Sequence, residues 1–395
     1  MNDSKQVLPP EIQHERRDFL KQGVALGALT LAGSQPLWSQ MALGAEATLV
    51  PFTDMPPEFV APPVAPGATH YLDSRTISSF YTPNEDFYII QHYNQPTVAE
   101  AGFSLRVTGL VNKTLELDMA TIRARPKVEI DAGFECGGNS GRLFQGLIGN
   151  ARWGGTSLKA LLEEAGVQAE GIEVVFYGVD KGTEKIREVD VEQSFGRSMH
   201  ISDAMSGDVL LAYEMNGEPL PVYHGAPLRL VVPGWYGVAN VKWLNQIHVQ
   251  DRRFMGRFMG RDYVTLSKQD IGGEVRWEER SVTKIRLKSS IVRVTRSGNN
   301  HTVTGFVLND GTPLKAVEVS IDGGPWQAAK IDPAATKYSW KLFTYDWGNA
   351  AAGEHTLVSR VIDANGQIQA TAEEMPEKPT RWENYGQFPR KITIG

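Results

Sequence analysis

The chain reads Gly217-Glu-Pro-Leu-Pro-Val-Tyr-His224-Gly-Ala-Pro-Leu-Arg229-Leu-Val-Val-Pro-Gly234 through the middle of its 395 residues. Asn216-Gly217 ahead of this stretch is a tight-turn signal. Leu228 to Val232 is an apolar strand stopped by Pro233-Gly234, and Trp235 to Trp243 leads into a further strand, Ile247-His-Val-Gln250. Upstream, Phe87 to His92, Phe103 to Gly109, Val128 to Ala132, Val174 to Tyr177 and Val209 to Tyr213 have the look of short strands. Ala151-Arg-Trp-Gly-Gly155 reads as a turn, and Ser198 to Met205 as a short helix or turn. Thr156 or Ser157 caps a helix over Leu158 to Ala165 that Gly166 ends. Strands that mix with few helices and do not alternate strictly with them fit an α+β domain better than a doubly wound sheet.

Phe134-Glu-Cys136-Gly-Gly-Asn139-Ser-Gly-Arg142 follows one of those strands and holds the single cysteine of the chain. Its glycines let backbone come close to a ligand, and a thiolate offered there suits a soft metal. A lone cysteine is also commonly an inert buried thiol. Beyond Arg280 the texture changes to short alternating strands, among them Ile291-Val-Arg-Val, Ala316-Val-Glu-Val-Ser-Ile and Leu357-Val-Ser-Arg-Val-Ile. Asn309-Asp-Gly311 and Asp322-Gly-Gly324 are hairpin signals, with Trp326 and Trp340 as core aromatics, and together they predict an immunoglobulin-like β-sandwich. The expected domains are 48–280 and 281–395, with residues 48–80 as an extended, proline-rich arm over the first.

Residues 1–47 carry Arg16-Arg17, a weakly apolar run from Gly23 to Gly33 and small residues at Ala42, Gly44, Ala45 and Ala47. That order is a twin-arginine export signal, which moves folded proteins to the periplasm. In such an oxidising compartment a cysteine without a partner calls for a reason. A net charge of −6 and the lack of any basic block argue against nucleic acid as a partner. No apolar run is long enough to span or anchor in a membrane. Nucleotide loops, zinc-ligand spacings and Cys-x-x-Cys-His haem attachment are all missing. His92, Arg152, His224, Arg229, Lys242 and Tyr263 fall where strands end. Each alone has an ordinary structural reading, and they matter only as a set around one anionic ligand.

Thr82-Pro-Asn84 with His92, Cys136-Gly-Gly-Asn139, Ala151-Arg-Trp-Gly-Gly155, the Gly217–Gly234 stretch, Val241-Lys242-Trp243, Arg261-Asp-Tyr263 and Val319-Ser-Ile-Asp-Gly-Gly-Pro-Trp326 together resemble the sulfite oxidase family of molybdenum enzymes. The likeness runs from about residue 70 to 370 and leans toward the bacterial sulfite dehydrogenase and sulfane dehydrogenase (SoxC-like) branch. It implies a molybdopterin-binding domain followed by the sandwich, with Cys136 as the protein ligand to molybdenum. It further implies that His92, Gly137, Asn139, Arg152, His224, Arg229 and Lys242 hold the molybdopterin, and that Tyr263 and Arg142 face the substrate. The family's arginines fall here on Ile90 and Lys341. The activity implied is oxidation of sulfite or a related sulfur oxyanion by oxygen-atom transfer, with electrons passed to an external c-type cytochrome and no haem in this chain. A homodimer through the sandwich is implied as well. Alternatives are a sulfane dehydrogenase acting on carrier-bound sulfur, an S-oxide reductase, and a non-enzymatic sandwich binding module.

Overall fold

Val128–Glu135 and Ile148–Ser157 pair antiparallel, from Val128 opposite Gly155 to Glu135 opposite Ile148, and this pair carries Cys136 at its far end. The structure is a computed structural model describing residues 47–56, 70–140, 145–375 and 380–395. The expected export signal, but for Ala47, and Arg142 lie outside the described residues. The Cys136 sheet continues through Leu210–Met215 to Arg229–Val231, all antiparallel. The expected Asn216-Gly217 turn joins Leu210–Met215 to Glu218–Pro219, and both turn residues have positive φ, 54° and 83°. Those signs are what a two-residue hairpin of matching twist requires.

A second sheet runs in the order Leu115–Leu117, Leu105–Gly109, Leu244–Gln250, Glu173–Ile186 and Val189–His200, with only the Leu105–Gly109 and Leu244–Gln250 pair parallel. The helix Leu158–Ala165 fills the space beside both sheets. Ser157 Oγ accepts from the Ala160 N–H, and Gly166 ends the helix in the left-handed region, as the sequence predicts. Leu158, Leu161 and Leu162 share one core with Val107, Phe176, Ile247 and Leu211. The other helices of the described residues, Met119–Arg123, Ile201–Ala204 and Arg257–Gly260, are a single turn or little more.

Two expectations for this part change. Ala151-Arg-Trp-Gly-Gly155 is not a turn: it lies within Ile148–Ser157 and pairs on both sides, with a register shift at Gly154/Gly155. Phe87 to His92 is extended but makes only one isolated bridge, His70 to Ile89. Phe87 and Tyr88 both turn inward and lie stacked at 5.4 Å between centroids, so the segment gives up strand alternation for burial.

Beyond residue 281 two antiparallel sheets face each other. One orders Thr48–Val50, Lys288–Ser297, Asn300–Leu308, Lys341–Gly348 and Lys330–Ile331; the other Gln327–Ala328, Leu314–Ile321, Gly353–Asp363 and Arg390–Ile394. Ile291, Val294, Val303 and Phe343 of the first meet Val317, Val319, Leu357 and Ile392 of the second in one core. Thr48–Val50 pairs with Lys288–Ser297, and Phe52 and Met55 enter this core, so the start of the expected arm belongs to the second part of the chain. The Asp322-Gly-Gly324 signal closes a hairpin, because Val319 lies opposite Gln327. Asn309-Asp-Gly311 does not: it carries the chain from one sheet to the other, whose strands on either side do not pair. Trp340 is fully buried, but against the first domain, where its indole N–H donates to Phe80 O at 2.8 Å. Trp326 is only half-buried beneath the Arg360 guanidinium. The hairpin Val264–Ile271 and Glu274–Ser281 stands between the two parts as a separate two-stranded sheet.

Candidate active site

Cys136 continues the strand Val128–Glu135, its N–H donating to Leu147 O at 2.9 Å, and its side chain is buried. Asn139 makes the loop. Its side chain donates to Glu135 Oε1 at 3.0 Å and accepts from the Leu147 N–H at 3.1 Å. It therefore braces the thiol and lines neither adjoining cavity. Gly137 O accepts from the Glu383 N–H at 2.8 Å.

A cavity of about 640 Å3 lies against Cys136, with His92, His224, Arg229, Lys242 and Tyr263 in its walls. Five of the residues predicted as a set are thus brought to one place with the thiol. The 3-10 turn Val222–His224 buries His224, whose Nε2 lies 3.0 Å from Asn84 O. Burial pushes its pKa down to about 4 and that of His92 to about 3, so both imidazoles are neutral at ordinary pH. His92 Nε2 lies 2.8 Å from the Tyr263 hydroxyl, and burial raises the pKa of that phenol well above its usual value. Lys242 Nζ donates to Tyr223 O at 3.2 Å, and burial lowers its pKa to about 7.

Arg229 is the buried cation of the cavity. It donates to His224 O at 2.8 Å and Asn240 O at 3.1 Å and lies 4.8 Å from the centre of the Trp153 ring. Part of its fork is thus spent on protein carbonyls, although no described carboxylate neutralises its charge. Arg152 is not in the site. The strand alternation that buries Ala151 and Trp153 turns it to solvent, where it pairs with Asp131 at 3.2 Å. Lys341 is also elsewhere, its ammonium held by Asn309 Oδ1, Lys337 O and Ser339 O.

Sequence reasoning missed Asp180, Arg257, Arg381 and Trp382. Asp180 lies in the long strand Glu173–Ile186 and is buried against the 640 Å3 cavity. Its Oδ1 has no hydrogen-bond partner, and burial raises its pKa to about 7 against the pull of Lys242. Gly178 makes room for it, since a Cβ there would sit 2.3 Å from Asp180 Oδ1. The only local signal was a strand interrupted by that glycine.

These groups fit a molybdenum–molybdopterin cofactor. Arg229 is a buried cation and Lys242 a half-buried amine that would face its anionic part, and the orphaned Asp180 Oδ1 would accept an N–H from its polar edge. Burial raises the Cys136 pKa to about 11, opposed by the Gly138 N–H, Arg381 and the Tyr263 hydroxyl, so a bound metal would have to drive off the thiol proton. Among the described residues no group of three or more His, Cys, Asp or Glu could hold a metal ion. A metal at Cys136 would take most of its ligands from the cofactor itself.

Residues 92–258 match the oxidoreductase molybdopterin binding domain family. The chain is 33% identical to sulfite oxidase of Gallus gallus, over 73% of this chain and 68% of that one. It is 31% identical to the mitochondrial sulfite oxidase of Drosophila melanogaster, over 73% of this chain and 55% of the relative. With Arabidopsis thaliana sulfite oxidase it shares 29% over 75% and 84%. The fold matches the crystal structure of the sulfane dehydrogenase SoxCD from Paracoccus pantotrophus with a TM-score of 0.71 and 24% identity, over 95% of this chain and 97% of that one. Fold and site define a molybdopterin-binding oxidoreductase. The chain belongs to the sulfite oxidase family, and it spans little more than half the length of the fly relative.

Proposed function

We propose that the protein is a molybdenum-dependent oxidoreductase that oxidises sulfite, or a related inorganic sulfur species, and passes the electrons to an external c-type cytochrome. One observation carries this reading: the Cys136 thiol stands where the cationic cofactor cavity joins a second cavity of about 1190 Å3, the two sharing Ile90, Gln91, His92, Cys136 and Tyr263. A cofactor in the first would present its metal to a substrate in the second. When bound, the cofactor supplies two-electron oxygen-atom transfer, and the protein supplies orientation and charge.

Cys136 Sγ would hold the metal, its loop kept in place by the Asn139 and Leu147 hydrogen bonds. Neutral His92 and Tyr263 form a hydrogen-bonded pair beside it, and the phenol keeps its proton through the working pH range. Phe195 and Phe258, with ring centroids 5.2 Å and 4.7 Å from that of His92, keep water from the back of the pair. Arg229 and Lys242, which line the first cavity, would hold the anionic part of the cofactor. The twin-arginine signal and the single unpaired cysteine support export to the periplasm after cofactor loading. We assign the two facing sheets beyond residue 281 to an immunoglobulin-like sandwich through which the protein dimerises.

The test is stoichiometric molybdenum in the purified protein together with sulfite-dependent reduction of cytochrome c. Protein without molybdenum rejects the reading. A second reading, sulfane dehydrogenase, is favoured by the fold match to SoxCD over nearly the whole chain. Molybdenum-loaded protein that ignores sulfite but turns over a sulfane-loaded carrier protein selects it.

A further inference from the structure

The hairpin of Val264–Ile271 and Glu274–Ser281 has no further strand beside it among the described residues. A two-stranded sheet on its own is marginal in water and gains from added strands. One face turns to the protein: Thr265 and Ser267 are buried there, and Arg280, opposite Thr265, bonds Glu383 at 2.6 Å and 3.2 Å. Residues 274–279 are all exposed, so the outer edge of Glu274–Ser281 meets solvent. Val275 and Trp277, 70% and 51% exposed, share the other face with half-buried Leu266.

Register decides what such an edge can pair with. Gly272-Gly273 closes the hairpin with φ of 66° and 89°, and Ile271 lies opposite Glu274. The pair that flanks a two-residue turn exchanges both of its hydrogen bonds, and the pattern alternates along the strand. Residues 274, 276, 278 and 280 therefore turn their N–H and C=O groups to Val264–Ile271. Val275, Trp277 and Glu279 turn theirs to the free edge. A second copy of the same edge must meet those three residues with outward groups of its own, which leaves few registers. Centring on Trp277 sets that residue opposite itself, Val275 opposite Glu279, Arg276 opposite Glu278 and Glu274 opposite Arg280. Every facing pair of charges then joins opposite signs. The next allowed register toward the turn sets Arg276 opposite Arg276 and Glu274 opposite Glu278. The next one away sets Glu278 opposite Glu278 and Arg276 opposite Arg280. Like charges face to face destabilise both. Arg276 bonds Glu274 of its own exposed strand at 2.5 Å and 3.2 Å, a surface contact that is exchanged at little cost. Arg280 is already committed to Glu383, so the pairing of Arg276 with Glu278, made twice about the axis, carries the recognition.

We propose that this edge is an interaction surface for a second copy of the chain. Two Glu274–Ser281 strands pair antiparallel about a two-fold axis through Trp277 and complete one four-stranded sheet. The contact is isologous, closes on itself and covers an edge otherwise open to foreign strands. Trp277 of each copy reaches Val275 of the other diagonally across the pair, which sets the exposed apolar side chains of the hairpin against each other. The inference goes beyond the redox reading and the sandwich contact assigned above, and failure of either leaves it standing.

The experiment measures self-association of the holoprotein by sedimentation equilibrium. Arg276→Glu and Glu278→Arg each set like charges opposite one another in both central pairs. Each should raise the dissociation constant by about tenfold or more. An equimolar mixture of the two variants sets Glu opposite Arg again and should restore wild-type association, which mixing two misfolded chains does not do. Wild-type protein that stays monomeric overturns the proposal, as does a mixture that associates no better than its components. Single variants that associate as tightly as the wild type also overturn it, since association then belongs to the sandwich and the edge is left to solvent or to a different protein.

Discussion

Lys288 Nζ, on a sandwich strand, lies 2.5 Å from Glu135 Oε1, the residue next to Cys136, and both side chains are almost wholly out of solvent at 1% and 2% exposure. Asn139 bonds the same carboxylate oxygen. A buried pair of this kind seldom adds net stability over an apolar pair, yet breaking it leaves a charge with no compensation. Lys288→Met should therefore cost about 3–5 kcal/mol, read by urea unfolding. The double change Glu135→Gln with Lys288→Met should recover most of that loss. A single Lys288→Met that unfolds like the wild type would show that the pair carries no such strain.

Cys136→Ser should leave secondary structure intact, since a hydroxyl can still accept from the Gly138 N–H and the Tyr263 hydroxyl that face the thiol. Turnover should drop by about a hundredfold or more, the scale for losing a group that acts on the reacting centre. X-ray absorption at the molybdenum edge should count one sulfur fewer. An unchanged sulfur count would remove Cys136 from the metal.

Tyr263→Phe deletes the hydroxyl 2.8 Å from His92 Nε2 while keeping the ring on Trp382. Stability should change by only about 1 kcal/mol. The turnover number should fall by about tenfold to a hundredfold. A variant as fast as the parent would make Tyr263 a packing residue.

Two histidines, buried His224 and half-buried His92, set an acid limit on the cofactor-free protein. Their folded pKa values, about 3 for His92 and about 4 for His224, lie below the ordinary 6.5. As pH falls through 6.5 the unfolded chain takes up protons that the folded chain refuses. Stability is thus complete above that pH and lost below it, by up to about 1.4 kcal/mol per pH unit for each histidine. The loss levels off once the folded rings protonate near pH 4 and 3. Unfolding midpoints between pH 7 and 4 measure the slope, and His92→Gln should lower it by one proton. A slope unmoved by His92→Gln would mean that the ring protonates in the folded state.

What was legible from the residues was local. Ser157 and Gly166 bounded their helix, and Asn216-Gly217 made its turn, because cap and turn chemistry lies within a few positions. The thiol, His92, His224, Arg229, Lys242 and Tyr263 converged on one cavity from positions at or beside element ends: His224 closes Val222–His224, Arg229 opens Arg229–Val231, Cys136 follows Val128–Glu135, and Tyr263 precedes Val264–Ile271. Arg152 failed on parity: five residues taken for a turn are strand, and in a strand one step moves a side chain to the other face. Arg381 and Asp180 were invisible for a different reason. Nothing in Thr380-Arg-Trp-Glu383 shows that it meets Cys136, and nothing around Asp180 shows that its carboxylate stays unpaired.

The hydrogen bond from Glu383 to Gly137 also fixes an order of events. Synthesis produces the thiol loop and the cofactor cavity long before residues 380–383, which roof the thiol, leave the ribosome. Through that interval the cavity has walls but no lid over its sulfur side. The last part of the chain to be made thus supplies the contact over the thiol loop, through Trp382 on Tyr263 and the Glu383 N–H on Gly137 O.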